Sequence, residues 1–243
     1  AAPVALSDAG TDAAWREAAK AALAAHRHSQ REAFAANGDI ERLIAAHCAQ
    51  IDTIVISAWA RCVGAIDGLD LLATGGYGRG ELYPQSDIDL LVLADPEAQK
   101  RHEGALAAFF ALLWDAGLAT SHAVRSIAQC VAAAREDIAT LTSMMELRVL
   151  AGADASRCAL QQALNAEGLW EPAQYFEAKR DEQRARHARH NDTADNLEPN
   201  LKEGPGGLRD MHTVTWMGMR LYGVPGLRAL VPLGLLGEDE CAT

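Results

Sequence analysis

Two aspartates, Asp87 and Asp89, stand two positions apart in an otherwise apolar run, Asp87-Ile88-Asp89-Leu90-Leu91-Val92-Leu93. In an extended strand, residues two apart leave the same face, so this spacing sets two carboxylates side by side. Such a pair repels unless a cation lies between its members. Oxygen ligands of this kind suit Mg2+, which takes one or two carboxylates and fills its shell with water and phosphate oxygens. Two such ions can stabilise the attacking and leaving oxygens of a phosphoryl transfer. Upstream, Gly75 and Gly76 follow another short apolar run. Backbone without side chains can approach a polyphosphate and turn its N–H groups toward the oxygens. Ten residues, Tyr77 to Ser86, separate the glycine pair from Asp87, enough to cross to a neighbouring strand and gather both features at one end of a sheet. An Asp-x-Asp alone is more often a surface or turn feature. The preceding strand and Gly-Gly at this distance favour a metal-phosphate site.

The elements that must hold these residues follow from periodicity. Leu69–Thr74 and Asp87–Leu93 read as buried strands, the second ended by Asp95-Pro96. Gly75-Gly76-Tyr77-Gly78-Arg79-Gly80 between them reads as a loop that continues no regular element. It lacks the Gly-Lys-Ser/Thr ending of a P-loop and the directly following helix of a dinucleotide fingerprint. A helix is expected over Glu97–Ala116, a third strand over Leu118–Val124, and helices over Ser126–Ala134 and Glu136–Leu150. Strands separated by helices make this an α/β fold with a small mixed sheet. Ahead of it, residues 1–66 read as a helical hairpin. Thr11 and Asp12 cap its first helix, Asn37-Gly38 stops it, and Asp39 caps the second. Residues 67–150 form the expected α/β core. Residues 151–243 read as helical pieces near 155–166, 171–190 and 209–222, with a Gly/Pro-rich loop over 191–207, and loops of that length inside a domain are often functional.

Composition narrows the function classes. Of 243 residues, 49% are apolar and 23% charged, enough for a buried core. The formal charge of −11 argues against a nucleic-acid surface. No uninterrupted apolar stretch of about 18 residues suggests a membrane span. The five cysteines are scattered without metal-ligand spacing, which suits free thiols in a reducing cytoplasm. The chain starts without methionine and stops on Gly-Glu-Asp-Glu-Cys-Ala-Thr, so a piece of a longer protein is expected.

Among the cations, Lys202 and Arg209 stand in or beside the glycine-rich loop and are candidates to meet an anionic substrate. The basic stretch Lys179, Arg180, Arg184, Arg186 and Arg189, with His187 and His190, reads either as a solvated face paired with Asp181 and Glu182 or as a phosphate-facing wall.

The string from Gly75 to Leu91, Gly-Gly-Tyr-Gly-Arg-Gly-Glu-Leu-Tyr-Pro-Gln-Ser-Asp-Ile-Asp-Leu-Leu, resembles the signature of the DNA polymerase β-like nucleotidyltransferases. Within them it resembles the bacterial bifunctional uridylyltransferase/uridylyl-removing enzymes of nitrogen control. A second block, Leu197-Glu-Pro-Asn-Leu-Lys-Glu-Gly-Pro-Gly-Gly-Leu-Arg-Asp210, with Trp216 after it, is similar to a segment typical of that family. So are Phe34, Gly38 and Asp52, and the stretch Glu146–Gly152. The resemblance implies transfer of UMP from UTP to a tyrosine of the signalling protein PII, with release of pyrophosphate. It implies Mg2+, with Mn2+ as an alternative, on Asp87 and Asp89, and the triphosphate on Gly75 and Gly76. It gives Arg79 and Ser86 the task of steadying the loop or reaching a phosphate. The family's UMP-removing HD domain and glutamine-sensing ACT domains are not expected in this chain.

The resemblance also implies a third carboxylate on a later strand, and Leu118–Arg125 holds none. Asp137, Glu146 and Asp210 are the nearest alternatives, and each also reads as a cap or helix-surface charge. Nothing in the sequence selects uracil over adenine, so adenylyl transfer to a protein acceptor is the alternative reading. A catalytically silent interaction module is a third, disfavoured by retention of both aspartates.

Overall fold

The computed structural model of the protein describes residue 6 and residues 10–166, 168–193, 198–224 and 226–242, the last two by backbone alone. Part of the expected loop, residues 194–197, lies outside the described residues. The chain divides into two compact units, the first formed by Ala1–Ala133 with Glu146–Leu164, the second by Ala134–Met145 with Asn165–Thr243.

The first unit opens with α1 (Asp12–Ala35) and α2 (Ile40–Cys62). Thr11 Oγ1 accepts from the Ala14 N–H (3.2 Å), and Asp39 Oδ1 accepts from the Arg42 N–H (3.3 Å). Both caps satisfy backbone donors that a helix start leaves orphaned. Asn37, in the left-handed region at φ 56°, turns the chain between the two helices. Taken alone, α2 is long and apolar enough to cross a membrane. In the fold, its Ile51, Ile54, Val55, Ala58 and Trp59 are buried in the core of this unit. Trp59 meets Phe109 edge-on at 5.1 Å between ring centroids.

The sheet comprises β1 (Leu69–Ala73), β2 (Ile88–Ala94), β3 (Thr120–Arg125) and β4 (Arg148–Ala151), in the order β3-β2-β1-β4. β2 runs antiparallel to β1 and parallel to β3, and β4 runs antiparallel to β1. The α/β fold with a small mixed sheet is therefore the one expected. Leu69, Leu71 and Ala73 of β1 pair with Ala94, Val92 and Leu90 of β2 and share one face, which joins the helical core. Alternation then puts Asp89, Leu91 and Leu93 on the opposite face.

Three expectations need correction. The glycine-rich segment does not form a loop: Gly75–Arg79 is a short helix, α3, closed by Gly80 in the left-handed region at φ 80°. Glycine disfavours helix by about 1 kcal/mol per residue, but close packing overrides propensity here, as the site geometry shows below. The helix expected over 97–116 breaks at His102 into α4 (Pro96–Arg101) and α5 (Glu103–Asp115). The break lets α4 lie along β3 while α5 packs against α2. The helix expected over 136–150 is instead α7 (Ile138–Met145) followed by β4, with α6 (Ile127–Glu136) before it. Every residue of β1 is buried, so its second edge requires a hydrogen-bonding partner, and β4 supplies it.

The first unit closes with α8 (Asp154–Leu164). The second unit holds α7, α9 (Pro172–Arg189), α10 (Leu208–Tyr222) and the short α11 (Glu238–Ala242). Within it the Thr142 hydroxyl lies 3.1 Å from the Tyr175 hydroxyl, joining α7 to α9. Cys48, Cys62, Cys130 and Cys158 are free thiols.

Candidate active site

Because β1 and β2 are antiparallel neighbours, the end of β1 lies beside the start of β2. The Thr74 N–H donates to the Asp89 carbonyl (3.1 Å). Gly75 then turns with φ 57°, and a Cβ placed on it would sit 3.4 Å from Asp89 Oδ2. The glycine pair and the second aspartate thus meet at one sheet end. Asp87 stands one residue ahead of β2 and is exposed, whereas Asp89 is half-buried. On the parallel neighbour, Ser121 is the register partner of Asp89, and β3 carries no carboxylate.

What fixes α3 against the sheet is a set of charges from distant elements. Tyr77 is buried and donates from its hydroxyl to Asp52 Oδ1 of α2 (2.7 Å). Arg148 of β4 grips the same carboxylate with both terminal nitrogens, at 2.8 Å and 3.0 Å, and donates to the Tyr77 carbonyl at 3.2 Å. Burial, then the neighbouring Asp52 charge and hydrogen bond, push the Tyr77 phenol far up, so it remains an O–H donor. Arg79 donates to Glu146 Oε2 (2.5 Å) and Glu81 Oε2 (2.8 Å). Burial works against its charge, but the bonds to Glu146 and Glu81 outweigh it and hold the guanidinium cationic. Glu146 has a side chain only 2% exposed, so removing Arg79 would take a cationic partner from a buried carboxylate. Such losses cost about 3–5 kcal/mol. Finally, a Cβ on Gly78 would lie 2.0 Å from the Glu146 carbonyl oxygen. Only glycine lets α3 approach β4 this closely, which is why a helix-poor sequence adopts a helical turn here.

The remaining candidates fall as follows. Ser86 sits in the turn before Asp87, its N–H donating to the Tyr83 carbonyl (2.9 Å). Lys202 and Arg209 belong to the second unit and are joined by an Arg209 N–H to Lys202 carbonyl bond of 2.9 Å. Lys202 is exposed, while the Arg209 guanidinium lies 5.5 Å from the Trp216 ring centroid and 3.4 Å from Glu203. The basic stretch splits in character. Arg180 and Arg184 pair with Asp181 near the surface. Lys179 and Arg186 are buried, Lys179 on Glu182 (2.7 Å) and Arg186 on Asp210. Asp210 also accepts from Gln183 (2.9 Å) and the Gly206 N–H (2.8 Å) and lies 3.0 Å from His187 Nε2.

Each alternative for a third carboxylate therefore has other partners. Asp137 caps α7 through the Ala139 and Thr140 N–H groups, Glu146 holds Arg79, and Asp210 closes the network of the second unit. Among the described residues no group of three or more His, Cys, Asp or Glu converges as a metal-binding cluster. Sequence reasoning missed the clamp on α3, although a signal existed. Arg148 interrupts an apolar run, and Asp52 interrupts the apolar periodicity of α2. Charges in such places mark a partly buried pair more often than a solvated face.

The chain is similar to known proteins over most of its length. A family profile described as GlnD PII-uridylyltransferase matches residues 174–243, and one described as nucleotidyltransferase domain matches residues 53–135. The second span contains the glycine pair, α3 and both aspartates. The chain is 51% identical over 231 residues to a bifunctional uridylyltransferase/uridylyl-removing enzyme of Xanthomonas euvesicatoria pv. vesicatoria, covering 95% of this chain and 26% of that protein. To the bifunctional uridylyltransferase/uridylyl-removing enzyme of Stutzerimonas stutzeri it is 45% identical over 224 residues, 91% of this chain and 25% of that protein. The chain thus spans about a quarter of the length of the curated relatives it matches. With two family profiles in order along it, and identity of this level across nearly all of it, the chain is similar to one stretch of the bifunctional uridylyltransferase/uridylyl-removing enzymes.

Proposed function

We propose that this chain is a nucleotidyltransferase that moves UMP from UTP to a tyrosine of PII, releasing pyrophosphate. The observation that carries the reading is the position of Gly75 at the β1–β2 sheet end, where an added Cβ would lie 3.4 Å from Asp89 Oδ2, inside the matched nucleotidyltransferase domain. The donor set fits a hard divalent cation: Asp87 and Asp89 offer only carboxylate oxygens, one is solvent-accessible, and the wall facing the other is a glycine. Asp87 and Asp89 would hold Mg2+, or Mn2+ in its place. When bound, the ion neutralises triphosphate charge and polarises the phosphorus under attack.

The chain's own groups do the rest. Gly75 and Gly76 leave their backbone open to the triphosphate, in a stretch where any side chain would press on Asp89 or on the Glu81 carbonyl. Arg79, engaged by Glu81 and Glu146, steadies this turn, and Ser86 closes the turn that delivers Asp87. Lys202 and Arg209, both of the second unit, are candidate cations for an anionic group. In the transfer, the tyrosine oxygen bonds to the α-phosphorus as its bond to the pyrophosphate oxygen breaks, and the phenolic proton passes to solvent. Positioning and charge stabilisation, rather than a dedicated base, supply the rate. We assign the catalytic centre to an α/β core, residues 67–150, which helical regions 1–66 and 151–243 flank in the sequence. The free thiols among the described residues, Cys48, Cys62, Cys130 and Cys158, are compatible with the reducing cytoplasm we assign to the enzyme.

The test uses Asp87→Asn and Asp89→Asn with labelled UTP, Mg2+ and PII. Each variant is expected to lose label transfer to PII while keeping the wild-type thermal transition. Transfer at the wild-type rate would overturn the metal assignment, and transfer of label from ATP instead of UTP would overturn the donor.

A further inference from the structure

The first unit has a cavity of about 310 Å³ away from the paired aspartates, between the end of α1, the start of α2 and the turn Tyr83-Pro84-Gln85. Its chemistry is divided. Leu43 and Ile44 give it apolar walls, and Phe34, 63% exposed, and Ile40, 49% exposed, stand at it without being covered. Large apolar side chains left open to water are stabilised when something covers them. Against this apolar side stand Arg27 and Arg31, one helical turn apart on α1 and both exposed. Neither has an acidic partner within ion-pair distance among the described residues. His26 and His47 also line the cavity, both more than nine-tenths buried, with ring centroids stacked at 5.4 Å. Burial pushes His47 down to about 4 and lowers His26, so both are neutral at pH 7 and can each donate one hydrogen bond. His26 Nε2 is fully enclosed and has no hydrogen-bond partner among the described residues. An orphaned buried polar atom beside a cavity is costly unless a ligand or water satisfies it.

We infer that this cavity binds a small organic anion, a molecule with one carboxylate or phosphate group on an apolar or aromatic body. The body lies on Phe34, Ile40 and Leu43, and the anionic group meets Arg27 and Arg31. The volume matches a compact ligand of that class, at the lower end of small-molecule sites. Two adjacent guanidinium groups with no acidic partner select an anion over a neutral or cationic molecule. One wall is the turn that leads into Asp87, so the occupied cavity borders the segment that presents the catalytic aspartates. Binding itself does not depend on the proposed transferase reaction.

The test is a titration of isotopically labelled protein followed by amide chemical shifts. The probes are 3-phenylpropionate, phenyl phosphate and the neutral analogue 3-phenyl-1-propanol. Both anions are expected to give saturable shifts at the amides of residues 26–34, 40–47, 83 and 85, and the alcohol to bind about tenfold more weakly, the effect of losing one charge-assisted contact. The exposed double variant Arg27→Gln/Arg31→Gln should keep the wild-type spectrum elsewhere and weaken the anions to the level of the alcohol. Asp89→Asn should bind the anions unchanged, and UTP with Mg2+ should not displace them. The two anions together show whether carboxylate and phosphate are both accepted. Absence of saturable shifts at these amides, equal affinity for the alcohol, unchanged affinity in the double variant, or displacement by UTP would each overturn the assignment.

Discussion

Replacing Gly78 with alanine tests how the glycine turn is held against the aspartates. The added methyl would lie 2.0 Å from the Glu146 carbonyl oxygen and 3.0 Å from the Ala73 carbonyl oxygen. Contacts below 3.0 Å are essentially not seen for a real Cβ, so α3 and the start of β4 must part by about 1 Å even to reach that limit. Both obstructing atoms are backbone, one on each side, and neither can rotate away. Overpacking of this kind costs about 1–3 kcal/mol, which for a chain of this size lowers the melting temperature by roughly 3–10 °C. The same displacement moves Gly75 and Gly76 relative to Asp89, and a misplacement near 1 Å lowers a positioned reaction by about 100-fold. Gly104→Ala is the control, because a Cβ there meets nothing within 4 Å and Gly104 lies within α5. It should be neutral or slightly stabilising. Thermal denaturation and the rate of labelled UMP transfer to PII, measured on both variants, decide the matter. A Gly78→Ala protein that melted with the wild type and transferred at its rate would refute the claim that close packing of α3 on β4 sets the site.

The remaining predictions concern the charges and the metal. Chelation with EDTA should abolish transfer and added Mg2+ or Mn2+ restore it, read by the same label; transfer surviving chelation would remove the cation from the scheme. Asp52→Asn and Arg148→Met should each destabilise the first unit, and a double-mutant cycle in urea should return a coupling of about 1–3 kcal/mol. Additive losses would show that the two side chains do not act together on Tyr77. For His47, burial first, then the neighbouring His26 and Arg27, hold the folded value at about 4, below the ordinary 6.5. The unfolded chain therefore takes up the proton first, so stability is complete above about pH 6.5 and falls as pH drops toward 4. The urea midpoint of the wild type should decline through that window, and His47→Phe should flatten the decline.

The chain's periodicity made several parts of the fold legible. The hairpin of α1 and α2 is written in Thr11, Asn37, Gly38 and Asp39, whose capping and turn chemistry acts locally. β1 and β2 are apolar runs with clear stops, and the distance from Gly75 to Asp87 foretold that one would return beside the other. Local chemistry failed where a distant partner overruled it. Val149 and Leu150 fit a helix as well as a strand, and only the unpaired edge of β1 makes them β4. Gly75–Arg79 looks unable to form a helix until the Glu146 carbonyl is brought against Gly78.

By itself, then, the sequence determined the residue types at the site and their order: a glycine pair, a turn, and two aspartates at the start of a strand. Spacing of that kind is preserved whatever the rest of the chain does. Tertiary structure alone decided what holds them. It paired Asp52 with Arg148 around Tyr77, and Glu146 with Arg79, across 96 and 67 positions of chain. These partly buried ion pairs form only after helices and sheet have excluded water from both members, and no local pattern encodes which partner each charge will meet.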